Sequence, residues 1–211
     1  MHTGLCVLHL FLERGDDVDH GGVSNAISAA EQAECQVITA SILGHKADVA
    51  VMALGPDVVA LRRLQTGLQR AGFRAIDSYL SITEVSEYAK GLPENMLNER
   101  LYPKLPPADK PAFCFYPMTK RRQAHANWYA TPFAERRQMM MEHGTSGRKF
   151  AGKIVQLITA STGLDDYEWG VTLFADSLET VKDVVYSMRF DKGSALYGEF
   201  GTFYVGYLDY M

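Results

Sequence analysis

The pattern of apolar and polar positions repeats once along the chain. Apolar runs that predict strands alternate with segments whose apolar residues recur at helical spacing. In the first half the strands are predicted at 3–13, 35–43, 48–54 and 73–85, with helices at 21–33 and 58–72. In the second half the strands are predicted at 112–119, 154–162, 167–175 and 200–208, with helices at 132–150 and 177–189. Each half therefore reads β-α-β-β-α-β.

This order is the plan of a ferredoxin-like fold, duplicated within one chain. The segment 48–64 aligns in pattern with 168–184, since each passes from strand through a turn into a helix. We predict an α+β protein of two ferredoxin-like halves, the dimeric α/β-barrel type. The N-terminal half is 1–86, a polar, proline-rich connector is 87–111, and the C-terminal half is 112–211. Thr131 and Pro132 are the predicted N-cap and first-turn proline of the long second-half helix.

Composition narrows the class of protein. The 211 residues are 47% hydrophobic with a net charge of −4, which argues against a general nucleic-acid-binding surface. There is no run of 18 apolar residues that predicts a membrane span, and Met1 is not followed by a signal-peptide pattern. Three cysteines without a CxxC pair are typical of a reducing compartment. The expected location is therefore cytoplasmic.

The net charge hides a local excess of basic residues. Between Tyr116 and Lys153 there are eight basic residues and two acidic ones, whereas the rest of the chain has 13 basic and 23 acidic residues. Such a cluster in an acidic protein indicates a specific polyanionic ligand. The alternative is that the exposed faces of one helix and two loops happen to be basic.

Common catalytic motifs are absent. The chain has no phosphate-binding GxxxxGK, no HExxH, no GxSxG, no GxGxxG and no CxxCH haem-attachment sequence. Two other segments contain the candidate chemistry, and they lie in the predicted second half.

The first is the helix containing His143. Met139, Met140, Gly144 and Gly147 fall within one turn of this histidine on the same side. A histidine beside thioethers and glycines favours a flat apolar ligand with a metal at its centre. The alternative is a histidine near a helix C-terminus, where the helix dipole favours it.

The second is the strand end at 116–120. In an extended strand Tyr116, Met118 and Lys120 share one face, and Pro117 and Thr119 share the other. A phenol and an ammonium two positions apart can address an anionic group beside a redox centre. A strand end at the surface with an interfacial tyrosine is the alternative.

Taken with neighbouring motifs, these segments resemble a known family. The motifs are Tyr-Pro-Met-Thr-Lys at 116–120, Asn-Trp-Tyr at 127–129, Glu-His-Gly at 142–144, Gly-Arg-Lys-Phe-Ala-Gly-Lys at 147–153, Gly-Leu-Asp-Asp-Tyr-Glu-Trp-Gly-Val-Thr-Leu-Phe at 163–174, Met-Arg-Phe-Asp at 188–191 and Tyr-Gly-Glu-Phe-Gly at 197–201. They resemble the coproheme decarboxylases, the haem-synthesis branch of the chlorite dismutase superfamily. The resemblance is dense from about Arg100 to Gly206.

The resemblance implies roles for individual residues. It implies that His143 is the axial iron ligand and that Tyr116 is the redox-active tyrosine. Gln156 matches the distal position at which chlorite dismutases have an arginine, and this difference favours decarboxylation over chlorite decomposition. The other porphyrin-binding residues that it implies are Arg100, Pro117, Met118, Thr119, Lys120 and Ser194, of which Arg100, Lys120 and Ser194 match residues that hold propionates.

The implied reaction converts two propionates of Fe-coproporphyrin III (coproheme) to vinyl groups through a tyrosyl radical. Hydrogen peroxide is the implied oxidant and haem b the product. The resemblance also implies a homopentamer and transient contact with a coproporphyrin ferrochelatase. Two alternatives stay open: a chlorite dismutase or peroxidase-like haem enzyme, and a haem-binding protein without catalysis.

Overall fold

Eight long strands form one sheet that closes on itself. The computed structural model describes residues 3–89, 91 and 93–208. Its strands are β1 (Thr3–Arg14), β2 (Gln36–Ile42), β3 (Val49–Gly55), β4 (Phe73–Glu84), β5 (Ala112–Lys120), β6 (Arg122–Gln123), β7 (Ala126–Asn127), β8 (Ile154–Ala160), β9 (Trp169–Ala175), β10 (Gly198–Phe200) and β11 (Tyr204–Leu208). Its α-helices are α1 (His20–Gln32), α2 (Val58–Arg70), α3 (Glu94–Leu101), α4 (Phe133–Arg148), α5 (Leu178–Met188) and α6 (Lys192–Ala195).

The two halves of the chain have the same strand order. Within the first half the neighbours are β4-β1-β3-β2, and within the second they are β11-β5-β9-β8. Counted inside each half, both orders are 4-1-3-2, which is the antiparallel ferredoxin-like arrangement. The halves then join twice, where β4 pairs with β8 and β11 pairs with β2. The predicted duplicated α+β fold is confirmed, and the division at 86 and 111 stays a prediction.

Closure of the sheet gives each strand an inner and an outer face. On β1, Val7 and Phe11 pack inside the sheet against strands of both halves. Leu8 and Leu10 point outward and pack against the cluster that includes helix α2. Strand β3 is buried along its whole length. Because such a strand is covered on both faces, nearly all of its residues are apolar, as the continuous apolar runs in the sequence predicted.

Two matched helix starts confirm the internal repeat. Asp57 accepts a hydrogen bond from the backbone N–H of Val59 at the start of α2. Ser177 accepts one from the backbone N–H of Thr180 at the start of α5. Asp57 and Ser177 occupy the same position of the two aligned segments. Both side chains satisfy N–H groups that the first turn of a helix leaves without partners.

The predicted cap of the long second-half helix is wrong. Pro132 is the N-cap residue of α4, and no side chain caps this helix. The Thr131 hydroxyl instead donates to the backbone carbonyl of Asn127 at 2.9 Å. The preceding loop folds back on itself, so this hydroxyl is used to close the loop rather than to start the helix.

The sequence pattern also missed several short elements, among them β6 and β7. Helix α3 lies inside the predicted connector, α6 follows α5, and the last predicted strand is divided into β10 and β11. Each has at most eight residues, too few for a hydrophobic period to stand out. Within the described ranges no helix combines the length and apolar character needed to cross a lipid bilayer.

His9 is enclosed within the closed sheet, as expected for a histidine of a buried strand. It is 0% exposed, its Nε2 lies 2.9 Å from the Thr172 hydroxyl, and its ring is 4.2 Å from that of Phe115. Burial lowers the pKa of His9 to about 3. The neutral ring is therefore part of the folded state, and its protonation opposes folding.

We expect the protonation of His9 to destabilise the fold in acid. Because the folded-state pKa lies below the unfolded value, the unfolded chain binds more protons at low pH. The contribution of neutral His9 to the free energy of unfolding is fully present above about pH 6.5. About 2–3 kcal/mol of it is lost when the pH falls to about 4.5. Denaturant unfolding at several pH values measures this loss. His9→Gln should have a smaller dependence on pH over this interval, and an unchanged dependence would contradict the assignment.

Candidate functional site

A large cavity lies against the outer face of the second-half sheet. Its volume is about 2890 Å³, and its walls come from β5, β8 and β9, from helices α3 and α4, and from the loop 102–105. This exceeds the roughly 300–1,000 Å³ of a pocket for a drug-sized ligand. The cavity therefore has room for a macrocycle.

The cavity brings together most of the residues that the sequence singled out. Seven of them line it: Arg100, Tyr116, Met118, Lys120, His143, Gln156 and Ser194. Pro117 and Thr119 do not line it, because alternation along β5 turns them to the opposite face. Pro117 instead borders a separate pocket of about 190 Å³, beside Tyr79 and Phe115.

His143 is held in one orientation by a carboxylate. Its Nδ1 lies 3.0 Å from Oδ2 of Asp191, and the Ser146 hydroxyl donates to Oδ1 of the same carboxylate at 2.7 Å. An ionised carboxylate only accepts hydrogen bonds, so Nδ1 is the protonated nitrogen and the Nε2 lone pair is left for a ligand. Such a carboxylate–histidine pair is the usual way to orient a metal-binding imidazole.

The electrostatic surroundings favour the neutral form of His143. Burial lowers the pKa of this histidine, Asp191 opposes that effect and Lys120 adds to it, with a net shift downward. Neutral imidazole is the form that binds a metal ion. The ring at this position is thus prepared for ligation near neutral pH.

Tyr116 lies in an apolar part of the cavity wall. Its side chain is only 7% exposed, and its ring stacks on that of Phe203 with centroids 4.4 Å apart. Burial raises the pKa of Tyr116, and Cys114 adds to this while Arg189 opposes it. The phenol therefore keeps its proton over the whole physiological range. Phe200 and Phe203 both pack against the Tyr116 ring, which lines the cavity.

Lys120 is a buried cation in the same wall. Its Nζ donates to the carbonyl of Gly193 and lies 4.7 Å from the centre of the Trp128 ring. Burial lowers the pKa of Lys120 to about 8, although Glu168 favours the charged form. An ammonium with a carbonyl and an indole face as neighbours has donors left for an anionic ligand.

The remaining lining charges are mostly basic. Among the described residues that line the cavity, eight are basic and five are acidic. The basic ones are Arg100, Lys104, Lys120, Arg122, Arg136, Arg137, Arg148 and Arg189. Five of these come from the basic stretch that the sequence showed between 116 and 153. The positive lining of this cavity contrasts with the net charge of −4 of the whole chain.

Three residues of the site were missed by sequence reasoning. Asp191 orients His143, Glu168 accepts from the backbone N–H of Lys120, and Trp128 lies beneath the Lys120 ammonium. Each falls inside a motif quoted above, but nothing in its spacing indicated its partner. The contacts join segments 48 residues apart for the first two pairs, so only folding brings them together.

The donor set is suited to a metal that arrives with its own ligands. Within the described parts of the chain, no group of three or more His, Cys, Asp or Glu side chains could hold a bare metal ion. His143 supplies one imidazole nitrogen facing a cavity with room for a macrocycle. An iron porphyrin needs that single axial ligand, and carboxylates at its edge would meet the basic lining. The residues present therefore fit an iron porphyrin.

Comparison with known proteins agrees with this geometry. A haem-binding protein from Thermus thermophilus is 34% identical in sequence, with a TM-score of 0.85. The alignment covers 98% of this chain and 92% of that one. A chlorite dismutase from Candidatus Nitrospira defluvii in complex with imidazole has a TM-score of 0.77 at 18% identity, covering 100% and 93% of the two chains. The latter likeness concerns the fold alone.

The family match covers both halves of the chain apart from β1, and it includes the cavity. The sequence model of the family described as chlorite dismutase matches residues 20–208. That span includes His143 and Tyr116 together with the elements that position them. This protein belongs to the chlorite dismutase family.

Proposed function

We propose that this protein binds Fe-coproporphyrin III and converts two of its propionates to vinyl groups, with hydrogen peroxide as oxidant and haem b as product. The observation that carries the proposal is the arrangement of Tyr116 and Lys120. Both line the cavity that His143 lines, and both lie on β5, which is paired with β9 from Ala112 to Met118. A site that only held a porphyrin would need the histidine and the basic lining, but not a buried phenol beside a buried ammonium.

The charge of the cavity supports a substrate with four carboxylates. Arg100 on α3, Lys120 on β5 and Ser194 on α6 all line the cavity, so each can meet a carboxylate of a bound macrocycle. Ser194 is buried, and Lys120 donates to the adjacent Gly193 carbonyl, so two of these contacts are fixed relative to each other. Charge-assisted hydrogen bonds of this kind are the stronger class.

The bound iron porphyrin supplies the oxidising equivalent from peroxide, and the protein residues direct it. In the proposed mechanism Tyr116 gives up its hydroxyl hydrogen atom and takes one from the propionate carbon next to the ring. Carbon dioxide then leaves, the second oxidising equivalent of the same peroxide accepts one further electron, and the vinyl group remains. The phenol is restored. Each propionate carboxylate consumes one peroxide and one proton and yields one carbon dioxide and two waters.

Gln156 and Lys120 would act on opposite parts of the substrate. The Gln156 amide projects from β8 into the cavity without charge, so it can donate to a ligand on the distal side but cannot hold chlorite by ionic attraction. Lys120, whose pKa is about 8, can bind the reacting carboxylate and exchange a proton near neutral pH.

The decisive test of the reaction is mass spectrometry. Coproheme incubated with the protein and peroxide should show two successive losses, each of one carboxyl group and one hydrogen. Oxygen release from chlorite, with intact propionates, would favour a chlorite dismutase instead. Assembly as a homopentamer and contact with a coproporphyrin ferrochelatase stay predictions.

A second candidate function is haem binding without catalysis. It is favoured by the relative from Thermus thermophilus, which is described as a haem-binding protein. Such a protein would bind haem b at least as tightly as coproheme and would leave the propionates unchanged.

We expect His143→Ala to change the Soret band and the spin state of the coproheme complex, because it removes the axial nitrogen. Binding should survive in part, since the basic residues still meet the carboxylates. Absorption and electron paramagnetic resonance spectra measure the change. His45→Ala, at an exposed turn outside the cavity lining, is the matched control. An unchanged spectrum for His143→Ala would show that the iron is held elsewhere.

Coproheme should bind more tightly than haem b, because it offers two more carboxylates to the basic lining. A charge-assisted hydrogen bond contributes about 1.5–3 kcal/mol. One such bond made by coproheme and not by haem b therefore gives at least about a tenfold difference in Kd. Salt should weaken coproheme binding more than haem b binding. Fluorescence or absorption titration at two ionic strengths measures both effects. Equal affinities that do not respond to salt would contradict the propionate contacts.

Tyr116→Phe should abolish formation of the vinyl product while leaving coproheme binding and iron ligation nearly unchanged. The substitution keeps the ring that stacks on Phe203 and removes only the O–H group. Bleaching of the porphyrin by peroxide should compete instead, because the oxidising equivalent has no productive outlet. Product analysis by chromatography measures the loss.

Tyr129→Phe is the matched control for this substitution. Tyr129 also lines the cavity but is 48% exposed, and this variant should keep substantial activity. Haem b formation by Tyr116→Phe at the rate of the unmodified protein would show that Tyr116 is not the radical site.

A further inference from the structure

Glu168 is a buried carboxylate in the cavity wall to which neither the fold nor the proposed reaction yet gives a role. It precedes the first residue of β9 and is only 6% exposed. A carboxylate is rarely so enclosed unless it is paired or hydrogen-bonded. Its contacts therefore indicate what it does.

The Glu168 side chain continues the ladder between β5 and β9. Backbone pairing of these strands ends at Met118 and Trp169. Beyond that point the N–H of Glu168 donates to the carbonyl of Met118 at 3.1 Å. The Glu168 carboxylate then accepts from the backbone N–H of Lys120 at 2.9 Å. Pairing with β9 has stopped at this point, so the Glu168 side chain holds the backbone of Lys120 on that edge, while β10 pairs with Lys120 on the other edge.

The same carboxylate lies close to the loop that precedes α4. Burial raises the pKa of Tyr129 in this loop, and the negative charge of Glu168 adds to the shift. This loop also carries Trp128, whose ring lies beneath the Lys120 ammonium.

Glu168 also supplies negative charge beside Lys120. The groups that face this ammonium are the Gly193 carbonyl on α6, the Trp128 ring and, electrostatically, His143 on α4. Arg136 lies 6.0 Å from the same indole and adds positive charge nearby, while Tyr116 on the same strand is neutral. Among the described groups, Glu168 is the carboxylate that favours the charged form of Lys120.

We propose that Glu168 is a positioning residue for carboxylate binding by Lys120: it fixes the strand end from which Lys120 projects and keeps the ammonium charged in a buried wall. This inference rests on the proposed binding of propionates in the cavity. In this role Glu168 acts through Lys120 rather than on the substrate.

Glu168→Gln separates the two parts of this role. The amide oxygen can still accept from the Lys120 N–H, so the strand end keeps its geometry, while the negative charge is lost. Without that charge Lys120 should lose its proton at lower pH. The variant should bind metal-free coproporphyrin III about five-fold more weakly than the unmodified protein at pH 8, and within about two-fold at pH 6.5. Fluorescence titration measures both, without any catalysis or iron.

Two controls keep the outcomes distinct. Glu99→Gln removes a negative charge from another cavity-lining carboxylate and should show no such dependence on pH. In a Lys120→Arg background, where the guanidinium stays charged, Glu168→Gln should have no larger effect at pH 8 than at pH 6.5. A pH-dependent loss that persists in that background, or an equal loss at both pH values in the single variant, would overturn the proposal.

A third variant, Lys120→Met, distinguishes an error in the proposed function from an error in the role of Glu168. If Lys120→Met leaves coproporphyrin affinity unchanged at pH 6.5, Lys120 does not hold propionates, and the fault lies in the proposed function. If Lys120→Met weakens binding but Glu168→Gln binds as the unmodified protein does at both pH values, only the role of Glu168 is wrong. Circular dichroism and thermal unfolding of each variant confirm that it is folded before titration.

Discussion

The site depends on one constraint, which is that β5 is buried on both faces of a closed sheet. Phe113 and Phe115 fill the interior, while Cys114 and Tyr116 pack outward. A shift of one residue in the register of this strand would exchange the two sets. Tyr116 would then lie inside the sheet and could not reach the cavity. Pairing with β9 on one side and with β11 on the other holds the register.

Around that strand, a small number of polar contacts connect the walls of the cavity. Asp191 binds His143 and Ser146, so the start of α6 is tied to the last turns of α4. Lys120 reaches the carbonyl of Gly193 on the same short helix. A ligand that touches His143 and Lys120 therefore meets two groups whose separation is set by α6. This preorganisation matters for chemistry that needs a phenol close to one carboxylate.

The two halves of the duplicated fold differ in how their helices cover the outer face of the sheet. In the first half, α1 and α2 cover the outer face of the sheet, and that face is apolar. In the second half the equivalent face is only partly covered by α5, and α4 stands away from β5 and β8 to leave the cavity between them. The cavity also takes residues from the connector, including Arg100 and Lys104. The second half and the connector supply most of the cavity wall, and the end of β4 in the first half completes it.

The sequence by itself determined the order of the long elements and the duplication. Strand alternation and helical spacing are local properties, so spacing alone places Tyr116, Met118 and Lys120 on one face of a strand. The cavity and the contacts made by Asp191 and Glu168 were decided only by the tertiary structure. The reason is physical: these features depend on contacts between segments far apart in sequence, whose geometry no local spacing specifies. For Pro117 and Thr119 the spacing was the better guide: the family motif includes them, but strand alternation places them on the face of β5 that is turned away from the cavity.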